Sequence, residues 1–227
     1  MRVLVLGGTG GIGPLLIQAL LAANHSLVVY ARSPNKLSED ITSNPLVDVV
    51  KGDLTDRDAL FSALQHGGQS VNAVVSCLGP PVNVTSGFTY PSDTPLAKAY
   101  TLLFELMHIA NVKRIIALGT ASNKDEHDKF DLQFATLVLG VATFAHGAYK
   151  DIVAIGKALR EQPIGELVWT LVRVPLLTTS KKSDFVAGYV GDKKTKTHLA
   201  RNAFAAFVVA ELNGNEWANK APLLSDA

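Results

Sequence analysis

"RVLVLGGTGGIGPLLIQAL", residues 2–20, passes from a short apolar run through a knot of glycines into a second apolar stretch. Between a strand and a helix, a GxxGxxG spacing such as Gly7, Gly10 and Gly13 has a specific use. The first glycine turns the chain, the second lets backbone N–H groups approach a pyrophosphate, and the third packs the helix close to the sheet. The helix N-terminus adds the positive end of its dipole. Thr9, Gly11 and Ile12 complete the expected loop. A plain glycine-rich turn is the alternative, and the apolar segments on both sides argue against it.

Outward from this loop, short apolar runs alternate with longer amphipathic ones. Strands are expected at 2–6, 26–31, 47–52, 71–77, 113–119 and 167–174, and helices at about 12–23, 55–66, 95–110, 143–161 and 198–212. The strands are almost continuously apolar, as strands covered on both faces must be. Thr55 before "DRD" and Thr94 before Pro95 read as helix starts. The alternation predicts an α/β fold: a doubly wound, Rossmann-type parallel sheet in a single domain over residues 1–227. The irregular stretches 79–93, 120–131 and 178–197 follow the fourth, fifth and sixth strands. They therefore lie beyond strand carboxyl ends, where open α/β sheets bind ligands. The part from about residue 175 onward is expected to contribute to a substrate pocket.

The composition narrows the function classes. With 227 residues and 48% hydrophobic content the chain can bury a full core. A net charge of +1 gives no broad reason to bind nucleic acid or an anionic membrane, although a local patch still can. Cys77 is the only cysteine, which excludes an intramolecular disulfide and suits a reducing cytosol, so a cytoplasmic location is expected. Few residues precede the first glycine, so no secretory signal is expected. "FATLVLGVATFA" (134–145) is shorter than the roughly 20 residues a bilayer needs and is expected as a buried helix. "KDEHD" (124–128) lacks metal-ligand spacing and reads as a solvated loop, so no metal site is expected.

At the end of the second strand, "VVYARSPNK" presents Arg32 and no acid. NAD sites place Asp or Glu there for the ribose 2′-hydroxyl, whereas a guanidinium grips a 2′-phosphate in two places. Lys36 adds charge, and NADP is the expected cofactor. A merely solvated Arg32 is the alternative.

Taken together, "VLGGTGGIG", Arg32, "KGDLTD" (51–56), "VVSCLGP" (74–80) and "VRVP" (172–175) resemble the atypical short-chain dehydrogenase/reductases. The similarity is to their NmrA-like and flavin- and biliverdin-reductase-like NAD(P)-binding group and covers most of the chain. It implies that Asp53 and Leu54 border the adenine, and that Ser76, Cys77, Leu78 and Gly79 run along the cofactor. By the same resemblance Arg173, Val174 and Pro175 border the nicotinamide end. The chain departs from the larger family in its catalytic pair. The only literal YxxxK, Tyr189 to Lys193, follows the sixth strand, the wrong place for a proton-donating tyrosine. At the expected helix stands "AHGAYKDIV", where His146, Tyr149 and Lys150 are spaced to share a face. His146 is the expected proton donor, helped by Lys150, with Tyr149 and Thr120 beside the substrate oxygen. Cys77 reads as a small buried hydrophobe rather than a nucleophile.

These expectations describe an NADP-dependent oxidoreductase passing hydride to a small aromatic or conjugated carbonyl or quinone-like substrate. Phe88, Tyr90, Phe130, Phe134, Phe144, Phe185 and Tyr189 are expected as aromatic pocket walls. Two other classes fit the same residues: a non-catalytic NADP(H) sensor and a biosynthetic isomerase or lyase. The oligomeric state is open.

Overall fold

The computed structural model describes residues 1–80, 90–163 and 165–227. Phe88 and most of the 79–93 stretch lie outside the described residues. In chain order the main elements of the first half are β1 (Arg2–Leu6), α1 (Gly13–Ala22), β2 (Ser26–Ala31), α2 (Glu39–Thr42), β3 (Val47–Lys51), α3 (Arg57–Leu64), β4 (Ala73–Ser76), α4 (Pro95–Ile109) and β5 (Arg114–Thr120). The second half comprises α5 (Leu132–Phe144), α6 (His146–Arg160), β6 (Val168–Val174), β7 (Leu176–Thr178), β8 (Phe185–Gly188), β9 (His198–Ala200), α7 (Arg201–Gly214) and β10 (Leu223–Asp226).

The six expected strands pair in parallel in the order β3-β2-β1-β4-β5-β6. Alternation along β1 explains the apolar runs. Val3 and Val5 face a cluster with Leu16, Ile17 and Phe204, and Leu4 and Leu6 face one with Leu60, Leu103 and Ile155. Both faces of the sheet are thus covered by helices, as the lack of polar alternation requires. The strand order reverses between β1 and β4, where Leu6 is in register with Ser76. The glycine loop and the Cys77 segment consequently leave the sheet side by side at its switch point.

The C-terminal region departs from expectation. The stretch 178–197 is not wholly irregular, because β8 lies within it. β10 inserts between β6 and β8, parallel to the first and antiparallel to the second, while β7 and β9 form a separate parallel pair. These strands have three or four residues each, too few to show a periodic signal. The expected helix at 143–161 breaks at Ala145 (φ −136, ψ 50), and α5 and α6 meet at a bend of 116°. Contrary to expectation, α5 is not a buried helix; Phe134 is its only buried residue. No single helix among the described residues is long and apolar enough to cross a membrane.

Helix starts differ in the same instructive way. Asp56, not Thr55, caps α3 by accepting the Ala59 N–H at 3.0 Å. Thr94 adopts φ 56 and does not cap α4. The fully buried Asp151 of α6 does so instead, accepting the N–H groups of Leu96 and Ala97 at 2.9 and 2.8 Å and the Tyr90 hydroxyl at 2.6 Å. In "KDEHD" (124–128) Lys124, Glu126 and His127 are exposed, as expected of a solvated loop, but Asp128 is engaged by the core. Arg173 is fully buried and donates to both oxygens of Asp128 at 2.7 and 2.9 Å, and to the carbonyls of Asn123 and Ala221 at 3.0 and 2.7 Å. Its charge clamps that segment onto β6. Among the described residues no cluster of His, Cys, Asp and Glu has the arrangement of a metal site.

Candidate active site

Close backbone approach shapes the glycine loop. Gly7 has φ +84, and a Cβ there would lie 3.1 Å from the Cys77 Sγ and the Leu78 N. At Gly13 a Cβ would run into the Gly8 carbonyl. The loop is closed by Gly10 N–H donating to the Gly7 carbonyl at 3.0 Å and Gly13 N–H to the Gly10 carbonyl at 3.1 Å. Among the described residues the N–H groups of Gly11 and Ile12 have no protein acceptor, just where α1 begins. Unpaired donors at a helix N-terminus suit a phosphate. This cradle fits a dinucleotide pyrophosphate, which the Gly11 and Ile12 N–H groups would hold, with Gly10 lining the cleft beside them; Thr9 lies half-buried between Gly8 and Gly10.

Toward the adenine end, the Tyr30 hydroxyl donates to the Asp53 carbonyl at 2.7 Å. The Thr55 N–H and hydroxyl bind the Asp53 carboxylate at 3.1 and 3.0 Å and hold it below the usual carboxylate range, with Arg32 adding a nearby positive charge. Arg32 and Lys36 are exposed and make no ion pair among the described residues, so both cations are available to a ligand. Leu54 is half-buried against the core.

From the glycine loop a cleft of about 580 Å³ runs past Cys77, Gly79, Pro80, Leu118, Val174 and Pro175 to α5, α6 and β7. Several expected cofactor neighbours turn away from it. Ser76 is fully buried and accepts the Tyr100 hydroxyl at 2.6 Å, and Leu78 packs into the core on the far face of the sheet. Arg173 points to Asp128 because neighbouring strand residues face opposite ways, which sends Val174 to the cleft. The Cys77 thiol donates to the Leu6 and Gly7 carbonyls at 3.3 Å, and burial pushes it up to about 12. It is a neutral thiol at any physiological pH.

The expected catalytic group separates. Ala148, Tyr149 and Ile152 face the cleft from α6, whereas His146 and Lys150 are exposed and do not line it. Ala148 and Ile152, one turn apart, define the inward direction; Lys150 is two residues from each and so points to the opposite side. His146 Nδ1–H donates to the Ala142 carbonyl at 3.2 Å. Thr120 lines the cleft, and its hydroxyl accepts the Ser122 N–H at 3.2 Å. The walls are mainly aliphatic rather than aromatic: Phe134 is joined by Leu137, Val138, Val141, Leu176 and Leu177. Of the other expected wall residues, Phe130 and Phe144 are exposed, and Phe185 packs edge-on against Phe207. Tyr189 stacks on His127 at 4.6 Å, and Tyr90 binds Asp151.

One polar residue of the cleft gave no signal in the sequence. Arg201, the first residue of α7, donates to the Thr178 carbonyl at 3.0 Å. Its Nε lies 3.4 Å from where a Cβ on Gly11 would stand. Nearly two hundred residues of chain separate it from the loop it touches, so only the folded structure brings the two together.

This cradle and cleft agree with the chain's wider likeness. The sequence matches the NAD(P)H-binding family over residues 7–215. The chain belongs to that family. Membership accords with the resemblance to atypical short-chain dehydrogenase/reductases carried by the glycine motif. A short-chain dehydrogenase/reductase (wide type) from Veillonella parvula, solved in complex with NADP, superposes with a TM-score of 0.76 at 15% identity, covering 99% of this chain and 94% of that one. An oxidoreductase from Lactococcus lactis does so with a TM-score of 0.73 at 16% identity, covering 100% and 91%. Isoeugenol synthase 1 from Clarkia breweri is 26% identical over 132 residues, 55% of this chain and 36% of that protein. The chain thus matches about a third of that relative's length.

Proposed function

We propose that this NAD(P)H-binding protein is an NADPH-dependent oxidoreductase acting on an apolar, conjugated or aromatic carbonyl or quinone-like compound. The observation that carries the reading is a single chamber. One cleft is lined both by Gly10, Gly11 and Ile12 of the glycine loop and by Thr120 and Tyr149 among aliphatic residues, so cofactor and substrate can share it. A bound dinucleotide would supply the hydride. The Gly11 and Ile12 N–H groups bind the pyrophosphate, and Arg32 with Lys36 takes the 2′-phosphate. Leu137, Val138 and Leu177 exclude water and press a flat substrate against the sheet end. Tyr149 gives a proton to the substrate oxygen as its carbon accepts the hydride, with the Thr120 hydroxyl alongside. The Clarkia relative, named for the synthesis of an aromatic compound, is in keeping with this substrate class.

A second reading has its own observation. Ala148 and Ile152 occupy the inward-facing positions one turn apart, so no tyrosine–lysine pair enters the cleft from α6. That favours a non-catalytic NADP(H) sensor. Titration calorimetry and steady-state assays separate the two. The oxidoreductase reading expects NADPH to bind more tightly than NADH, Arg32→Ala to erase that preference, and NADPH to be oxidised in the presence of a quinone or aromatic ketone from a broad panel. Tight NADPH binding with no turnover across the panel would select the sensor.

A further inference from the structure

The outer face of α5 is the largest feature that the cleft leaves unexplained. Its 13 residues, "LQFATLVLGVATF", contain no charge. Leu139 and Phe144 are 67% and 66% exposed, Leu132 is 70% exposed, and Phe130 just before the helix is 85% exposed. An uncharged helix rich in leucine and phenylalanine belongs in a core or against lipid, and this one has only its inner side in a core; its exposed polar residues are Gln133, Thr136 and Thr143, and the two threonine hydroxyls donate to the Leu132 and Leu139 carbonyls. That inner side, through Phe134, Leu137, Val138 and Val141, is a wall of the cleft. The same helix therefore has the substrate chamber on one side and a bare apolar face on the other.

A segment joined to the approach to α5 is cationic. Between Thr178 and Thr197 the chain carries five lysines against two aspartates. Lys181, Lys182, Lys193, Lys194 and Lys196 are all exposed. Of the two acids, Asp192 is engaged by the N–H groups of Tyr189, Lys194 and Thr195 at 3.0, 2.8 and 2.8 Å. The turn that carries Lys193 and Lys194 is joined to the segment leading into α5, where Lys129 N–H donates to the Val190 carbonyl at 2.8 Å. The lysines at 181 and 182 follow β7, whose Leu176 and Leu177 share the cleft wall with α5. An overall charge of +1 conceals this local separation.

We infer that α5 lies in the interface of an anionic bilayer, with the lysines of the 178–197 segment on the lipid headgroups. Exposed leucine and phenylalanine flanked by lysine are the pattern of a helix that lies in the interface plane rather than spanning it. At 13 residues α5 alone falls short of the roughly 20 that a span needs, and the chain bends by 116° where it meets α6. Charge decides between lipid and a second copy of the chain. A two-fold pairing of α5 faces would bring two lysine-rich segments together: of the four acids leading into α5, Asp125 and Asp128 are paired with Arg160 and Arg173 and Asp131 caps the helix, which leaves Glu126 against five exposed lysines, whereas an anionic leaflet neutralises both segments. The docking does not depend on the oxidoreductase reading.

Flotation of the full-length protein with vesicles, without cofactor or substrate, tests it. Binding is expected to vesicles of phosphatidylcholine with phosphatidylserine and not to phosphatidylcholine alone, and it should fall with added salt. Replacing Lys193 and Lys194 with Gln should weaken it about fivefold for each lysine. Leu139→Asp with Phe144→Asp should abolish it, with an unchanged melting temperature showing that the fold is intact. Failure to float with anionic vesicles overturns the inference. So does binding that ignores both pairs of substitutions. If sedimentation instead showed a dimer that Leu139→Asp and Phe144→Asp dissociate, α5 would be an interface between copies. None of these outcomes bears on NADPH binding or turnover, so the oxidoreductase reading stands or falls separately.

Discussion

The two walls of the cleft are built by opposite rules. On the glycine side the main chain itself is the wall: Gly7 and Gly13 leave no room for a side chain, and Leu6 and Ser76 fix the two segments in register. On the α5 side the wall is a helix held by one buried residue, Phe134, and by Asp131, whose carboxylate accepts the Gln133 and Phe134 N–H groups at 2.9 and 3.0 Å. A wall made of backbone tolerates little change and recognises what every dinucleotide shares. A wall made of a few side chains on a lightly held helix can be rebuilt without disturbing the sheet, and on the oxidoreductase reading the choice of substrate is expected to reside there.

The sharpest way to break this division is to attack the chemistry on the substrate side while leaving the cofactor side alone. Tyr149→Phe keeps the ring and removes only the hydroxyl. Loss of a general acid lowers rates by about a hundredfold to ten-thousandfold, so turnover should fall within that range while NADPH affinity is unchanged. His146→Ala and Lys150→Ala, outside the cleft, should keep the native rate. Parallel single-turnover and calorimetric measurements check both halves. A fully active Tyr149→Phe enzyme would move the proton source to Thr120 or water, and an inactive His146→Ala enzyme would return it to the outer face of α6.

Legibility in the sequence followed the same division. β1, β2 and β4 were readable because they are buried on both faces and so are almost continuously apolar, whereas the edge strand β3 keeps Asp48 and Lys51 exposed and was readable from its valines alone. The glycine loop was readable because steric exclusion leaves a residue type as its trace. β10 was not, since "LLSD" becomes a strand only once β6 and β8 offer it two edges. Asp151 as the cap of α4 was equally hidden, because the nearer Thr94 has the right residue type and the wrong backbone conformation. In "AHGAYKDIV" the spacing was visible but the helix's rotation was not: the inward face is set by packing through Ile155 and Leu159 further along α6. Arg173 misled for a related reason, its motif being correct and its side chain facing the other way.

A second test loosens the substrate side through its anchor. Arg173→Met removes a fully buried cation and leaves the Asp128 carboxylate, 16% exposed, without its partner. Breaking a buried pair in this way costs about 3 to 5 kcal/mol. Urea unfolding should register the loss. Hydrogen exchange should place it, with the 120–131 segment and the turn after β8 losing protection while β1 and the glycine loop keep theirs. Equal loss of protection in both regions would show that the two walls fold as one unit, and the contrast between them would fail.

The smallest expected effect concerns the one residue that belongs to both walls. Arg201 starts α7 and is tied to β7 through the Thr178 carbonyl, yet its guanidinium lies against Gly11. Because every dinucleotide carries a pyrophosphate and only NADP carries a 2′-phosphate, the two candidate arginines predict different patterns. Removing a charge-assisted hydrogen bond costs about 1.5 to 3 kcal/mol, roughly ten- to a hundredfold in affinity. Arg201→Gln should weaken NADPH and NADH by the same factor within that range and leave their ratio unchanged. Arg32→Ala should weaken NADPH alone. Calorimetric titration of both variants with both cofactors yields four affinities and one comparison of ratios. Should Arg201→Gln leave both affinities intact and raise KM for the carbonyl substrate, its guanidinium would act on the substrate side, and the boundary between the walls would lie at Gly11 itself.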